Sequence, residues 1–336
     1  MKRIVIVGAT GNTGREILQT LAEQGFPAGR VAALASERSA GAVVSYGEDE
    51  DLKTSDLSGF VFSADDLVIF AADAKVSETW APRVTRAGGT VIDTSPRFRL
   101  EPDVPLVIPE VNPAGVASPK SRVIACPSPI TTQLLTALKP LHDAAGLERV
   151  VVTALQSVSG AGKAAMDELF TQTRGVYVND PMKSEHFTKQ IAFNVIPHVD
   201  AFMDDGATRE EWTLAAEAKK ILGAAVKVTA TCAHVPVFIG HALAVNAAFA
   251  KSLTAGEARQ ILRRAPGVSV VDHRQDEGYV TPAEIAGEDN VFVSRIREDA
   301  TVDNGLNLWI VADNLRRGVA LGPVRIALAL AGQRKD

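Results

Sequence analysis

The chain has 336 residues, of which 46% are hydrophobic and 22% are charged, a balance that is typical of folded proteins and excludes intrinsic disorder. At roughly 150 residues per domain, we expect about two domains. The 35 Lys and Arg residues are outnumbered by 40 Asp and Glu residues, so the formal net charge is -5. This charge excludes the broad positive surface that nonspecific nucleic-acid binding requires, and no nucleic-acid partner is predicted.

Only two cysteines occur, Cys126 and Cys232. They exclude a disulfide framework and a thiolate metal cage, and no metal site is predicted. The apolar start MKRIVIV is too short for a signal peptide, and no stretch approaches the roughly 20 apolar residues that span a bilayer. We therefore expect a cytoplasmic protein with no membrane partner.

The first predicted element is a strand from Arg3 to Val7, followed by the glycine turn GATGNTG and a helical pattern, REILQTLAEQG. This order is typical of a dinucleotide-binding unit, because glycines let the backbone approach a pyrophosphate and the helix N–H groups face its charge. A purely structural turn is the alternative. The residues expected to contact the dinucleotide are Gly8, Thr10, Gly11, Asn12, Thr13 and Gly14.

A second strand is predicted over VAALAS (31–36), and Ser36, Arg38 and Ser39 lie at its end. An acidic residue at this place accepts the ribose hydroxyls of NAD, whereas a guanidinium with hydroxyls suits a 2′-phosphate. The pattern therefore favours NADP(H) as the cofactor. Spacing alone also allows Arg38 to be a solvated surface residue.

Further strands are predicted over 66–72, 89–95 and 123–126, with amphipathic helical stretches between them. Alternation of strands and helices predicts a parallel sheet with right-handed crossovers.

From about residue 127 the predicted strands become longer, over 149–159, 225–237 and 305–314. Period-two alternation in KVTATCAHV favours an antiparallel sheet with one covered face. Helices over 208–222 and 254–265 are expected to pack on this sheet, and a last helix is expected to begin near Asn314.

Eight collinear stretches resemble the aspartate-semialdehyde dehydrogenase family along nearly the whole chain. They are GATGNTG (8–14), LASERSAG (34–41), FRLEPDVPLVIPEVN (98–112), LQSVSGAG (155–162), FNVIPHVD (193–200), TREEW (208–212), VPVFIGHA (235–242) and DNLRRG (313–318). The resemblance implies an α/β fold in which a Rossmann-type domain with a parallel sheet (1–127 plus 314–336) is interrupted by an α+β domain. This inserted catalytic and dimerisation domain (128–313) has a mainly antiparallel sheet, and a homodimer is implied.

Members of this family use NADPH to reduce an acyl phosphate, β-aspartyl phosphate, through a thioacyl intermediate, with a histidine as general acid and base. His241 matches that histidine, and Gln156 matches the glutamine that orients the reacting group. Arg99 matches the arginine that grips phosphate, and Glu210 matches the glutamate that binds the substrate amine. Without the resemblance, His241 would be interpreted as an ordinary core histidine.

The nucleophile position departs from the family pattern. The family motif NPNCST aligns without gaps with CPSPIT (126–131), so Pro129, which has no side-chain heteroatom, stands where the cysteine is expected. Proline suits the first turn of a helix, so the fold need not suffer. A gapped alignment makes Cys126 the nucleophile, and a small buried core cysteine is the alternative.

Three further positions depart. His234 replaces an arginine that grips the substrate carboxylate, Thr213 replaces a lysine that assists with phosphate, and Gly322 replaces a cofactor-side asparagine. Loss of a bidentate arginine removes about 1.5–3 kcal/mol, on the order of a hundredfold in binding.

Four functions are weighed: an active aspartate-semialdehyde dehydrogenase that uses Cys126, an oxidoreductase that needs no thiol, a non-catalytic paralogue that binds NADP(H) as a sensor or partner subunit, and a structural protein. The retained cofactor and site residues argue against the last, and Pro129 argues against the first in its simple form. The sequence predicts an NADP-dependent oxidoreductase that acts on an aldehyde or acyl phosphate, with His241 as proton carrier. Activity on aspartate semialdehyde itself stays open, and the non-catalytic paralogue is the alternative.

Overall fold

The computed structural model describes residues 2–117, 121–180 and 183–332. The chain divides into two compact units. The N-terminal unit comprises Met1–Ser128 and Gly318–Asp336, and the inserted unit comprises Pro129–Arg317. No helix in the described ranges is both long and apolar enough to span a bilayer.

Every predicted strand overlaps an observed one, but the last helix begins at Leu321 and not near Asn314. The strands between residues 43 and 56, the strands over 241–249, 268–270 and 291–299, and the helix over 163–178 were not predicted. The strands are β1 (Arg3–Val7), β2 (Val31–Ala35), β3 (Val43–Tyr46), β4 (Glu50–Lys53), β5 (Ser55–Asp56), β6 (Asp66–Phe70), β7 (Thr90–Asp93), β8 (Val123–Ala125), β9 (Leu147–Gln156), β10 (Lys227–His234), β11 (His241–Phe249), β12 (Val268–Val270), β13 (Val291–Asp299) and β14 (Gly305–Ala312). The helices are α1 (Asn12–Glu23), α2 (Ala74–Arg86), α3 (Pro129–Ala145), α4 (Lys163–Val178), α5 (Arg209–Leu222), α6 (Ala255–Arg263) and α7 (Leu321–Leu330).

The N-terminal unit is built on a parallel six-stranded sheet in the order β5-β2-β1-β6-β7-β8, as predicted. All five residues of β6 are buried, which is typical of a parallel strand that is covered on both faces. Residues of α1 and α7 pack in the apolar cluster on one face, and residues of α2 pack in the cluster on the other.

The direction of strand addition reverses at β1 in this sheet. The chain first adds β2 on one side of β1 and later adds β6 on the other side. The loops that leave β1 and β6 therefore separate at the carboxyl edge, which is the place where open α/β sheets bind their ligands. Gly8 follows β1 at this edge.

The inserted unit contains a mixed six-stranded sheet in the order β10-β9-β11-β14-β13-β12. The pairs β9/β11, β11/β14 and β13/β14 are antiparallel, so the sheet is mainly antiparallel as expected. The strand KVTATCAHV was wrongly expected to have antiparallel pairing, because β10 runs parallel to β9. Alternation of polar and apolar residues indicates that one face of a strand is covered, but it does not indicate whether the adjacent strand runs parallel or antiparallel. Parallel pairing needs a long crossover connection, and the chain between β9 and β10 is long enough to form one.

One face of this mixed sheet is covered by helices α3, α5 and α6. On the opposite face, the strand register aligns Thr231, Thr153, Ala244 and Trp309 across four neighbouring strands. The first three of these side chains are exposed. The described part of the unit therefore presents a sheet face on which small and polar side chains lie beside Trp309.

Helix α5 is fixed to the sheet by one carboxylate. Thr208 caps the helix, and Glu211 Oε2 accepts the backbone N–H of Thr208 at 2.8 Å in a capping box. Glu211 Oε1 accepts the backbone N–H of Cys232 in β10 at 2.9 Å. The first turn of α5, which carries Glu210, is thereby held against the end of the sheet.

We predict that Glu211→Ala lowers the free energy of unfolding by about 2 kcal/mol, because it removes the capping box and leaves the Cys232 N–H unpaired. Urea denaturation measures this change. Lys219→Ala, at an exposed position of the same helix, is the control and should change it by less than about 0.5 kcal/mol. Equal effects of the two substitutions would contradict the role of the Glu211 carboxylate.

Candidate active site

The three glycines of the GATGNTG turn differ in whether the surrounding structure requires glycine at that position. Gly8 has φ +88°, and a Cβ there would lie 2.4 Å from the carbonyl oxygen of Ala71. A Cβ at Gly14 would lie 2.2 Å from the carbonyl oxygen of Gly8. Gly11 has an ordinary φ of -76°, and a Cβ there would approach the Gly8 oxygen no closer than 3.5 Å. Packing therefore requires glycine at positions 8 and 14 but not at position 11.

Gly11 stands at the start of helix α1, where backbone N–H groups have no partner within the helix. It is the N-cap residue, it is exposed, and no side chain caps the helix there. Thr10, Asn12 and Thr13 surround it and are half-buried. An uncapped helix start with an open approach at Gly11 fits the pyrophosphate of a dinucleotide.

The segment after β2 lies beside this turn. Gly8 and Ala9 donate their backbone N–H groups to the carbonyl oxygen of Leu34 in β2, at 2.9 and 3.0 Å. Ser36 and Arg38 are exposed, and Ser39 is half-buried at the end of a short helical turn. The guanidinium and the hydroxyls are thus available at the place where the adenosine ribose is expected.

Arg99 lies in the loop after β7, in the N-terminal unit. Its guanidinium donates to the carbonyl oxygen of Thr94 at 2.7 Å. Asp93, at the end of β7, is buried, and its carboxylate accepts the hydroxyls of Ser77 and Ser95 at 2.7 and 2.8 Å. Burial raises the pKa of Asp93, although both hydroxyls and the charge of Arg99 lower it.

Cys126 follows β8 and belongs to an apolar cluster of the N-terminal unit that also contains Ile124 and Val107. Burial and the nearby carboxylate of Asp93 raise the pKa of the Cys126 thiol to about 12, against a smaller effect of Arg99. Burial and two glutamates raise the pKa of Cys232 to about 12 as well. Both cysteines are buried and carry a protonated, weakly nucleophilic thiol at neutral pH.

Pro129 is the first residue of helix α3. Proline is well suited to this position, because its missing N–H would have no helical partner and its fixed φ is already helical. The helix continues for 17 residues with most of its first half buried. Under the ungapped alignment, the residue at the expected nucleophile position therefore begins a helix and carries no nucleophilic atom.

The inserted unit gathers four of the predicted residues at one end of its sheet. Gln156 ends β9, His234 ends the parallel strand β10, and His241 begins the antiparallel strand β11. Gln156 is paired with His234, and Leu155 is paired with Ala242. The Gln156 amide donates to Glu210 Oε1 at 3.2 Å.

His234 sits in an apolar setting. The Phe187 ring packs edge-on against the imidazole at a centroid distance of 5.0 Å. Nδ1 is buried and has no hydrogen-bond partner in the described part of the chain. Burial and the neighbouring His198 lower the pKa of His234, whereas a hydrogen bond to the backbone of Gln156 raises it. The imidazole is mainly neutral at pH 7 and does not replace the charge of an arginine.

His241 is almost fully buried, and its Nδ1 accepts the backbone N–H of Ser157 at 3.1 Å. Burial, together with the nearby His234, lowers the pKa of His241 to about 3. Ser157, Ser159 and Asn314 were not among the predicted site residues. The Ser157 hydroxyl lies 3.1 Å from Nδ1 of this imidazole, and Ser159 and Asn314 bond to that hydroxyl. Their presence within the LQSVSGAG and DNLRRG stretches was the one available signal.

Comparison with known proteins gives a consistent result for both units. The family model "Semialdehyde dehydrogenase, NAD binding domain" matches residues 3–118, and "Semialdehyde dehydrogenase, dimerisation domain" matches residues 138–317.

Aspartate-semialdehyde dehydrogenases from Rickettsia conorii and Aquifex aeolicus are 45% and 43% identical to the chain, over 96% and 97% of it and 96% of each relative. The crystal structure of aspartate semialdehyde dehydrogenase II from Vibrio cholerae superposes with a TM-score of 0.95 at 39% identity and covers 100% of both chains. The chain therefore belongs to the aspartate-semialdehyde dehydrogenase family, with a nicotinamide-dinucleotide-binding domain and a dimerisation domain.

Proposed function

We propose that the chain is an NADP-dependent oxidoreductase that transfers hydride between the nicotinamide and the carbonyl carbon of an aldehyde-type substrate without a thioacyl intermediate. The observation that carries this proposal is that the nucleophile is missing, whereas the residues expected to bind and polarise a carbonyl group are present. Pro129 begins α3 without a nucleophilic atom, while Gln156, Glu210 and His241 remain together at the end of the second sheet.

Bound NADP(H) supplies or accepts the hydride. The residues that would hold it are those of the glycine turn and of the segment after β2. Gly11 leaves room for the pyrophosphate, and Arg38 with Ser36 and Ser39 would bind the 2′-phosphate. Gly322, which replaces an asparagine of the family pattern, has open surroundings apart from Pro109.

The substrate end of the site has an unusual charge balance. Glu210 contributes a carboxylate that can bind an amine, and Gln156 donates to it. His234, where an arginine would grip a carboxylate, has its pKa lowered and is mainly neutral. We therefore propose an amino aldehyde without an α-carboxylate as the substrate class. Such a substrate has no phosphate for Arg99 to bind, and the phosphate-binding role of Arg99 would apply to an acyl phosphate.

A non-catalytic paralogue that binds NADP(H) as a sensor or partner subunit is the second candidate. It is supported by the same replacement of the nucleophile, together with the raised pKa of both thiols. It predicts NADPH binding with no turnover of any aldehyde, so the activity assays below separate it from the first proposal.

We also propose a homodimer that forms through the inserted unit. On the exposed face of its sheet, Thr231, Thr153 and Ala244 form a row of small side chains. Such a face allows close approach of the same face of a second copy, as a two-fold interface requires.

For the cofactor, we predict that Gly11→Ala weakens NADPH binding at least about tenfold, because a methyl group would occupy the space of the pyrophosphate. The free energy of unfolding should change by less than about 0.5 kcal/mol, since the backbone at position 11 suits alanine. Fluorescence titration with NADPH and urea denaturation measure the two effects. Retained affinity in Gly11→Ala would refute the assigned pyrophosphate site.

Arg38→Ala is the matched variant for the other end of the cofactor. It should weaken NADPH binding by about tenfold to a hundredfold while leaving NADH binding unchanged, because only NADPH carries the 2′-phosphate. An equal loss for both cofactors would argue against NADP specificity through Arg38.

For the thiols, we predict that iodoacetamide modifies both cysteines of the folded protein about a thousandfold more slowly than those of the urea-unfolded chain, at about pH 8. A pKa of about 12 leaves almost no thiolate, whereas the unfolded thiols titrate normally. Mass spectrometry of quenched samples gives the rates. Fast modification of Cys126 in the folded protein would restore it as a candidate nucleophile.

For the substrate, the test compares NADPH-dependent reduction of 3-aminopropanal with that of aspartate β-semialdehyde, which differs by its α-carboxylate. We expect kcat/KM to be at least about tenfold higher for 3-aminopropanal, and His234→Arg to reverse the preference. Reduction of neither aldehyde, with NADPH still bound, would favour the non-catalytic paralogue.

The family reaction provides the complementary assay, which follows NADPH formation from aspartate β-semialdehyde, NADP⁺ and phosphate. The wild-type protein should show none, whereas the triple variant Pro129→Cys, His234→Arg, Thr213→Lys should gain activity. Robust wild-type turnover that is abolished in Cys126→Ser would contradict the thiol-free mechanism.

A further inference from the structure

The protonation of His241 is determined by its neighbours in the inserted unit. The backbone N–H of Ser157 points at Nδ1 from 3.1 Å. A backbone N–H can only donate, so Nδ1 must be the accepting nitrogen. The proton of the neutral imidazole is therefore on Nε2. Protonation of Nδ1 would place two N–H groups against each other.

A buried polar network converges on the same nitrogen. The Ser157 hydroxyl lies 3.1 Å from Nδ1, 3.0 Å from Asn314 Oδ1 and 3.2 Å from the Ser159 hydroxyl. Asn314 Nδ2 donates to the Ser159 oxygen at 2.9 Å. Gly240 donates its N–H to Asn314 Oδ1 at 2.9 Å, which fixes the orientation of the amide. The side chains of this network are at most 2% exposed.

The Asn314 amide donates to the Ser159 oxygen, and the Ser159 hydroxyl can donate to Asn314 Oδ1. The single proton of the Ser157 hydroxyl can go to Asn314 Oδ1 or to His241 Nδ1. In the second arrangement the hydroxyl joins the Ser157 backbone N–H in donating to Nδ1, and both donors require this nitrogen to be unprotonated. Ser157 is itself fully buried and lies on the Nδ1 side of the ring, which makes it unsuitable as a nucleophile.

The opposite nitrogen faces a position where a side chain is missing. A Cβ added to Gly160 would lie 3.5 Å from Nε2 and 3.4 Å from Cε1 of His241. Gly160 has no positive φ that would require glycine. The absent side chain keeps space beside the Nε2–H group.

The elements around His241 contribute little negative charge that would favour a protonated imidazole. From β10, His234 acts on His241 and lowers its pKa. From β9, Gln156 and Ser157 are uncharged. From α3, the Gln133 amide donates to the His241 carbonyl oxygen. After β14, the carboxylate of Asp313 accepts the backbone N–H groups of Gly287, Leu315 and Arg316.

We propose that Ser157 and Asn314 are positioning residues that hold His241 as a neutral imidazole with its proton on Nε2, so that His241 serves as a hydrogen-bond donor to the substrate carbonyl oxygen. This inference rests on the proposed function for the identity of that oxygen. It replaces the expected role of His241 as a proton carrier that changes charge during the reaction.

The reduction then balances without an imidazolium. Bound NADPH would supply the hydride for the new C–H bond and would be oxidised to NADP⁺, while the Nε2–H group of His241 would stabilise the oxyanion that receives the C=O π pair. Water supplies the proton that completes the alcohol. His241 keeps its proton throughout.

The direct test is ¹⁵N NMR of protein labelled at histidine, with His241→Gln used to assign the signals. We expect a pyridine-type shift for Nδ1 and a pyrrole-type shift for Nε2 of His241, both constant between about pH 5 and pH 8. A pyrrole-type Nδ1, or titration within this range, would overturn the proposal. The spectrum is independent of turnover, so a failed activity assay would not affect it.

Three variants test the positioning residues. Ser157→Ala removes the hydroxyl donor and should change the Nδ1 shift and lower kcat about tenfold with little change in KM, the effect of about one hydrogen bond. Ser157→Thr keeps the hydroxyl and should restore both. Asn314→Asp adds a negative charge that favours an imidazolium and should make His241 titrate in the observed range.

Urea denaturation of each variant confirms that it is folded before the spectra are compared. An unchanged Nδ1 shift in Ser157→Ala, or a His241 that remains untitrated in a folded Asn314→Asp, would show that these residues do not control the imidazole. A loss of activity in Ser157→Ala that Ser157→Thr fails to restore would contradict the role of the hydroxyl.

Discussion

A row of side chains across three adjacent strands determines the candidate site. Gln156 ends β9 and is paired with His234 on one side, and the register of β11 continues toward His241 on the other. Neighbouring strands lie about 4.8 Å apart, so these three side chains cannot be separated without unpairing the sheet. The effect of His234 on the pKa of His241 follows from this spacing. Glu210 reaches Gln156 from the first turn of helix α5.

The same row explains why positive charge is disfavoured at this end of the sheet. Both imidazoles are desolvated, and the pKa of His241 is lowered further by His234, whereas that of His234 is lowered further by His198. Glu210 is then the charged group in contact with Gln156, and nothing in the row offers the fork of an arginine. Under the ungapped alignment, Pro129 and His234 stand where the family pattern has its thiol and its carboxylate-binding arginine, and the proposed function rests on both replacements.

Local signals predicted much of the N-terminal unit. β1 and β6 are short apolar runs, and the glycine turn directly follows β1, so their patterns depend on neighbouring residues alone. β11 was not predicted, because HALAVNAAF is rich in alanine and has no clear alternation. The parallel direction of β10 depends on a distant crossover, which residue alternation does not report.

The site residues divide in the same way. Gln156, Glu210 and His241 were identified through motifs of the family, each read within its own stretch. Asn314 also lies within such a stretch, DNLRRG, but its role depends on a bond to Ser157, which is 157 positions away in the chain, and no single stretch shows that bond. Likewise, the sequence allowed Cys126 as a nucleophile, and only its burial beside Asp93 shows why the thiol stays protonated.

The contrast among the three glycines of the first turn has an evolutionary consequence. Positions 8 and 14 are constrained by backbone atoms that a Cβ would strike, so any descendant that folds must keep them. Position 11 has an ordinary backbone conformation and free space, and the fold alone would tolerate drift there. In natural variants of this chain, glycine at position 11 therefore records whether selection for dinucleotide binding still operates, independently of selection for a stable fold.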